Sequence, residues 1–163
     1  MPRLLLLRHA KSSWDEDGLA DFDRPLNERG RAAATAIGRY LAAQKVVPDR
    51  LMVSPARRTR ETIERVLAEV SGWPKPQYDD RIYEASSGDL SRIISETPAG
   101  TESLMLVGHN PGLGFIAAQL GGARAAVELG KFPTGSLAII ELSEPWAEAH
   151  SGTLAAFVKP RDL

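Results

Sequence analysis

The sequence predicts an α/β layered fold, and three observations carry that expectation. Apolar runs of strand length alternate with segments of helical period along the chain. The first run, Arg3 to Leu7, is continuously apolar after its arginine, as a strand buried on both faces should be. Caps and breakers fall between the segments, and there is no internal repeat, low-complexity tract or block of like charge.

Taken in order, Arg3 to Leu7 is a central strand that ends in the polar pair Arg8 and His9. Asn27 is a good N-cap for a helix over Glu28 to Gln44, with Ala33, Ile37, Tyr40 and Leu41 at helical spacing, until Val46-Val47-Pro48-Asp49 breaks it. Arg50 to Val53 is a short strand. Ser54 as N-cap and Pro55 at the first helical position open a helix that runs toward Val70, with Ile63, Val66, Leu67 and Val70 as its buried face. Ser71-Gly72-Trp73-Pro74 stops it, and Tyr78 to Glu84 crosses back toward a short helix over Ser87 to Glu96. Leu104 to Val107 is a buried strand. Asn110 caps, and Pro111 begins, a helix to Leu120 that a Gly121-Gly122 pair ends. Leu137 to Leu142 and Leu154 to Val158 close the chain as an antiparallel strand pair.

At 163 residues the chain matches the ~150 residues of one domain. Hydrophobic residues make up 43% and charged residues 25%, with a mean hydropathy of −0.21, a composition that excludes disorder and supports a buried core. Twenty Lys and Arg against 21 Asp and Glu leave a net charge of −1. No global field draws the chain to nucleic acid or to an anionic membrane, so neither is an expected partner and any anion site must be local. The absence of cysteine excludes disulfides, thiolate metal sites and cysteine nucleophiles, and fits a reducing compartment. Leu4 to Leu7 is shorter than the ~7 to 15 apolar residues of a signal-peptide core, and no run reaches membrane-spanning length. The expected location is cytoplasmic.

Three of the strands end in reactive or cationic groups: Arg8 and His9 after Leu7, Arg57 and Arg58 after Val53, and His109 after Val107. Ligands of open α/β sheets bind at the carboxyl ends of the strands. Parallel neighbours would therefore bring two imidazoles and two or three guanidiniums to one point, beside helix N-termini that favour an anion. Such a site wants phosphate. Arg57 and Arg58 also oppose the macrodipole of their helix by ~0.3 to 1 kcal/mol, and broken local rules often mark function. Each residue has a plainer use: both arginines as solvated helix surface, His9 as a buried histidine satisfied by backbone, His109 as a turn residue. Only their convergence makes the functional reading sharp. His150 follows no buried strand and is assigned no role. A metal held by the histidines with Asp15, Asp21 or Asp23 is the weaker use of these groups, because arginines crowd the same point and no HxH, HxxxH or HExxH spacing occurs. GxxxxGK[ST], GxGxxG and GxSxG loops are likewise missing.

The segments Leu4-Leu5-Leu6-Leu7-Arg8-His9-Ala10, Pro25-Leu26-Asn27-Glu28-Arg29-Gly30, Ser54-Pro55-Ala56-Arg57-Arg58-Thr59-Arg60-Glu61-Thr62 and Val107-Gly108-His109-Asn110-Pro111-Gly112 together resemble the histidine phosphatase superfamily, of phosphoglycerate-mutase-like fold. The small size and the Gly-His-Asn-Pro-Gly form look most like the SixA-type phosphohistidine phosphatases. None of the four motifs is specific alone, but they follow the family's order over residues 3 to 142. The resemblance implies a single catalytic domain over 1–163, a three-layer α/β/α sandwich around a mostly parallel central sheet. It also implies a cofactor-independent and metal-independent phosphatase in which His9 becomes phosphorylated, Arg8, Arg58 and His109 bind the phosphoryl group, and Arg57 is passed over for Arg58. Two departures stand out. The usual Arg-His-Gly reads Arg-His-Ala, so the Ala10 methyl is expected to narrow the approach to the phosphate. Many members protonate the leaving group with a glutamate that SixA-type enzymes lack, and Glu84 is the candidate for that position, a solvated glutamate being its plain alternative. The implied partner is a phosphorylated protein, carrying phosphohistidine. The alternatives are a small phosphorylated substrate, favoured if Glu84 works as an acid, or a non-catalytic phosphate-binding adaptor. A mutase is the weaker option for so short a chain. Trp14 and the Asp15 to Asp23 segment are placed at the pocket mouth or in a surface loop.

Overall fold

The four leucines of β1 (Arg3–Arg8) alternate between two faces of a sheet, and that alternation builds the molecule. A computed structural model describes residues 1–15, 18–122, 125 and 132–163. Leu5 and Leu7 pack with Leu51, Val53, Met105 and Val107 against Ile37 and Leu41 of α1 (Glu28–Ala43) and Ile63 and Val66 of α2 (Arg57–Leu67). Leu4 and Leu6 pack on the opposite face, with Leu90, Ile93 and Ile94 of α3 (Ser87–Ser95) and Leu113, Ile116 and Leu120 of α4 (Gly112–Leu120). Helices thus cover both faces, giving the expected three layers. Residues contributing to both faces explain why the strands read as continuous apolar runs.

The sheet has the order β3-β2-β4-β1-β5-β6, with β2 at Arg50–Val53, β3 at Gln77–Tyr78, β4 at Ser103–Gly108, β5 at Leu137–Leu142 and β6 at Gly152–Val158. The first four are mutually parallel, β5 runs antiparallel to β1, and β6 runs antiparallel to β5. The register is level where it matters: Leu7 pairs with Val107, and Val107 with Val53. The chains leaving β1, β4 and β2 therefore emerge side by side.

Two helices begin later than the caps suggest. α2 starts at Arg57 with Ala56 at its N-cap, not at Ser54, because the Ser54 hydroxyl lies 2.7 Å from His109. It also ends at Leu67, leaving Val70 half-buried beyond it. α4 starts at Gly112, although Asn110 still accepts from the Gly114 amide at 3.0 Å. In α1 the buried positions are Gly30, Ala34, Ile37, Gly38 and Leu41, with Ala33 and Tyr40 at the edge of that face. Asn27 caps α1 through the Gly30 amide, as expected. Gly30 itself is obligatory: a Cβ there would sit 2.0 Å from the Lys11 carbonyl oxygen, which lies two residues past His9. Among the described residues, no helix is long and apolar enough to cross a membrane.

Candidate active site

The level register delivers His9, Ser54 and His109 to one place at the carboxyl ends of β1, β2 and β4. Backbone bonds fix each turn: the His9 amide donates to the Gly108 carbonyl at 3.0 Å, and the Ser54 amide to the Val107 carbonyl at 3.0 Å. The two imidazole rings lie 5.3 Å apart, centroid to centroid. His9 Nδ1 is 2.7 Å from the Ala10 carbonyl. A carbonyl can only accept, so Nδ1 carries the proton and Nε2 keeps a free lone pair.

Both rings are neutral at neutral pH. Burial pushes the His9 imidazole down to about 4, against the pull of its Ala10 bond and with help from the charges of Arg58, Arg8 and Arg24. Burial also lowers His109, to about 3, with His9 and Arg58 adding to it and the Asp21 carboxylate opposing. His109 Nε2 faces the Ser54 hydroxyl, and its Nδ1 is buried with no partner.

The guanidiniums of Arg8 and Arg58 act on both rings. Arg8 donates through Nη1 to the Phe132 carbonyl at 2.8 Å, and its Nε is buried and unpartnered. Arg58, 6% exposed, also has an unpartnered buried Nε. Arg57, its neighbour in sequence, points out to Glu61 at 3.1 Å. Unpaired buried donors are costly in an ordinary interior. Here they belong to the cations and imidazole that the strand ends bring together, the donor set an oxyanion needs. Thr62 locks the arrangement, accepting from the Ala10 amide at 3.0 Å and donating to the Arg58 carbonyl at 2.7 Å.

The Ala10 methyl has a different place from the one expected. It is fully buried with Leu26 and Ala34, so it packs the turn against α1 instead of narrowing the approach to an anion. Glu84 is exposed, with φ 57° in the left-handed region, directly after Tyr83. His150 is exposed and remote, bonded to the Glu148 carbonyl.

Sequence reasoning missed three contributors, Ser54, Arg24 and Tyr83, and offered Asp21 only as a possible metal ligand or within the Asp15 to Asp23 segment at the pocket mouth or in a surface loop. Ser54 was assigned to helix capping. Asp21, Arg24 and Tyr83 form a rim: the Tyr83 hydroxyl donates to Asp21 Oδ2 at 2.6 Å, Arg24 donates to Oδ1, and the Tyr83 ring meets His109 edge-on at 5.5 Å. Arg24 lies over the exposed Trp14 ring, 3.4 Å from its centroid. The only sequence signal for Arg24 is its place just ahead of the Pro25 to Gly30 motif. Glu16 and Asp17 of the same segment lie outside the described residues.

Comparison with known proteins agrees with this geometry. The profile of the histidine phosphatase superfamily (branch 1) matches residues 4–111, which hold every imidazole and guanidinium of the site. An uncharacterised protein of Mycobacterium tuberculosis is 33% identical over 163 aligned residues, covering 95% of this chain and 100% of the relative. The phosphohistidine phosphatase SixA of Escherichia coli is 28% identical over 126 residues, 72% of this chain and 73% of that protein. In three dimensions, a candidate phosphohistidine phosphatase SixA from Agrobacterium tumefaciens superimposes with a TM-score of 0.85 at 34% identity, covering 98% of this chain and 99% of that one.

Proposed function

The chain belongs to the histidine phosphatase superfamily, and on that premise we propose that it is a metal-independent phosphatase that removes phosphate from phosphohistidine on proteins through a phospho-His9 intermediate. The observation that carries this reading is the unprotonated Nε2 of His9, fixed by the Ala10 carbonyl among Arg8, Arg58 and His109.

Phosphoryl transfer asks a protein mainly for in-line positioning and for positive charge around three equatorial oxygens. Nε2 of His9 attacks phosphorus as the bond from phosphorus to the substrate imidazole breaks, and the bonding pair leaves with that imidazole. When the far nitrogen of the substrate ring is already protonated, neutral imidazole departs and the protein need supply no proton. Water then attacks the phosphorylated His9. The Nε2–phosphorus bond breaks, its pair returns to Nε2, and the water proton leaves with inorganic phosphate. Throughout, Nδ1–H stays on the Ala10 carbonyl. Ser54 donates to Nε2 of His109, which leaves the His109 Nδ1–H for a phosphoryl oxygen. Guanidiniums from Arg8 and Arg58 supply the charge that a divalent cation supplies elsewhere.

The SixA names of two relatives support the substrate class. One observation favours a second reading, hydrolysis of small phosphomonoesters: Glu84 adjoins Tyr83, whose hydroxyl is pushed up to about 12 by burial and Asp21 with Glu84 adding to it, so a carboxyl group is within reach of the rim. The deciding measurement is phosphate release, in EDTA, from a phosphohistidine-bearing protein by wild type and by His9→Ala. Release that survives EDTA and vanishes in the variant is expected. No release by wild type overturns the phosphohistidine reading and sends the search to a phosphomonoester panel, then to a binding-module role.

A further inference from the structure

The mechanism above uses Arg58 as a phosphate ligand, yet both terminal nitrogens of that guanidinium are already engaged by one residue. Arg58 Nη1 donates to the Asp21 main-chain carbonyl at 2.8 Å, and Nη2 donates to Asp21 Oδ2 at 3.1 Å. The Arg58 side chain is 7% exposed and the Asp21 side chain 45%. Asp21 therefore reaches in from the solvent side. A guanidinium has five N–H donors, so this grip leaves Nε–H and one proton on each terminal nitrogen for an anion. Nε is one of the buried unpartnered atoms of the site.

Asp21 is itself held from two further sides. Tyr83 donates to Oδ2, and Arg24 donates to Oδ1 through Nε at 3.2 Å and Nη2 at 3.1 Å. Arg24 is anchored in turn by the Ser12 hydroxyl at 2.8 Å and the Trp14 ring. Partial burial pushes the Asp21 carboxyl up, but Tyr83, Arg58 and Arg24 overcome it and hold the group at about 2. At neutral pH it is a fixed negative charge and cannot serve as a proton donor.

We infer that Asp21 is a positioning residue and an internal counter-anion: it orients Arg58 for the phosphoryl group and keeps the site from holding the phosphate product too tightly. The inference rests on the phosphatase reading, but it has a readout independent of turnover. A fixed bidentate grip should act on the transition state through the orientation of Arg58. A negative charge beside an anion site should weaken ground-state anion binding. A merely structural aspartate would do neither selectively.

Two variants separate charge from geometry. Asp21→Asn keeps the shape and the main-chain carbonyl but removes the charge; inorganic phosphate, titrated by calorimetry, should bind about fivefold more tightly, as expected for one unit charge a few ångströms away. Its kcat on phosphohistidine should fall by about tenfold, because a neutral amide weakens the charge-assisted bond that holds Arg58 Nη2 in place. Asp21→Glu keeps the charge but moves the carboxylate by one methylene; kcat should fall while phosphate affinity stays within about twofold of wild type. The inference is overturned if Asp21→Asn leaves kcat unchanged, if phosphate affinity falls along with kcat and melting temperature in both variants, or if the two variants shift phosphate affinity alike. Should one variant fail to fold, the other still decides its own half. If wild type binds phosphate but releases none from phosphohistidine, the proposed activity fails, while the titrations still test the counter-anion role.

Discussion

The two halves of the site are built by different means. The strand-end half consists of Arg8, the last residue of β1, with His9, Ser54, Arg58 and His109, which follow β1, β2 or β4, all set by backbone hydrogen bonds and buried packing. The rim half consists of Trp14, Asp21, Arg24 and Tyr83, from a loop and the ends of two single-turn 3-10 helices, held to one another by charge pairs and aromatic contacts. The first half has a low-dielectric setting that depresses both imidazoles. The second is more open to solvent, with Trp14 75% exposed, although Arg24 is buried, at 8%. Groups that must be aligned to fractions of an ångström thus sit on the rigid frame, and groups that meet the substrate's surroundings sit where adjustment is cheap.

The sharpest way to break this division is to compare two adjacent arginines. Arg58→Ala should lower phosphatase kcat by about 10²- to 10³-fold, the scale of losing one donor aimed at developing charge. Arg57→Ala, which removes only the exposed pair with Glu61, should stay within about twofold, since an exposed helix pair contributes at most ~0.5 kcal/mol. Steady-state kinetics on one phosphohistidine substrate measures both. Equal losses would mean that burial at the strand end does not mark the working arginine.

Ser54→Ala tests the strand-end half more finely. It removes the hydroxyl that pins His109 Nε2, so the ring is free to choose its tautomer, and kcat should drop by about 10- to 100-fold, as for other partners that orient a functional imidazole. Nitrogen chemical shifts of the His109 ring should report a single Nδ1–H tautomer in wild type and a mixture in the variant. An unchanged tautomer would remove Ser54 from the site.

The depressed imidazoles also couple the site to stability. An unfolded histidine takes up a proton as pH falls below its ordinary 6.5, whereas folded His9 resists until about 4 and His109 until about 3. The unfolded state therefore binds more protons between these limits, and protonation favours unfolding. Stability should be intact above pH 6.5 and decline as pH falls from 6.5 toward 4. A thermal melt series should show this decline, and His9→Asn should flatten it.

What was legible in the sequence follows the same division. Leu4 to Leu7 announced a strand buried on both faces, and the level ending of Leu7, Val53 and Val107 turned three distant motifs into one site. Repetitive patterns encode repetitive backbones, so the layers and most helix spans could be read from spacing alone. Ser54 was misread because one oxygen can cap a helix or bond a histidine 55 residues away, and only the fold selects between them. The Ala10 methyl was misplaced because a motif gives residue identity but not the direction of a side chain. Asp21 and Tyr83 leave no periodic trace: their partnership spans 62 residues and joins the ends of two 3-10 helices of a single turn, too short to show a period.

Glu84 sits on the boundary between the halves, next in sequence to the rim residue Tyr83, and the smallest expected effect tests which half it serves. If the reaction is phosphohistidine hydrolysis with a neutral imidazole leaving, no protein acid is needed, and Glu84→Gln should change kcat by less than about twofold. An alkoxide leaving group needs a proton in the transition state, so any side activity on a phosphomonoester should fall further, by about 10²-fold, the low end for loss of a general acid. The two substrates must be assayed on the same preparation, because their ratio cancels errors in active-enzyme concentration. Rates unchanged on both substrates would leave Glu84 as a solvated rim residue. Equal losses of that size on both substrates would instead mean that even the imidazole departs with a proton from the protein, and the strand-end half would no longer be chemically self-sufficient.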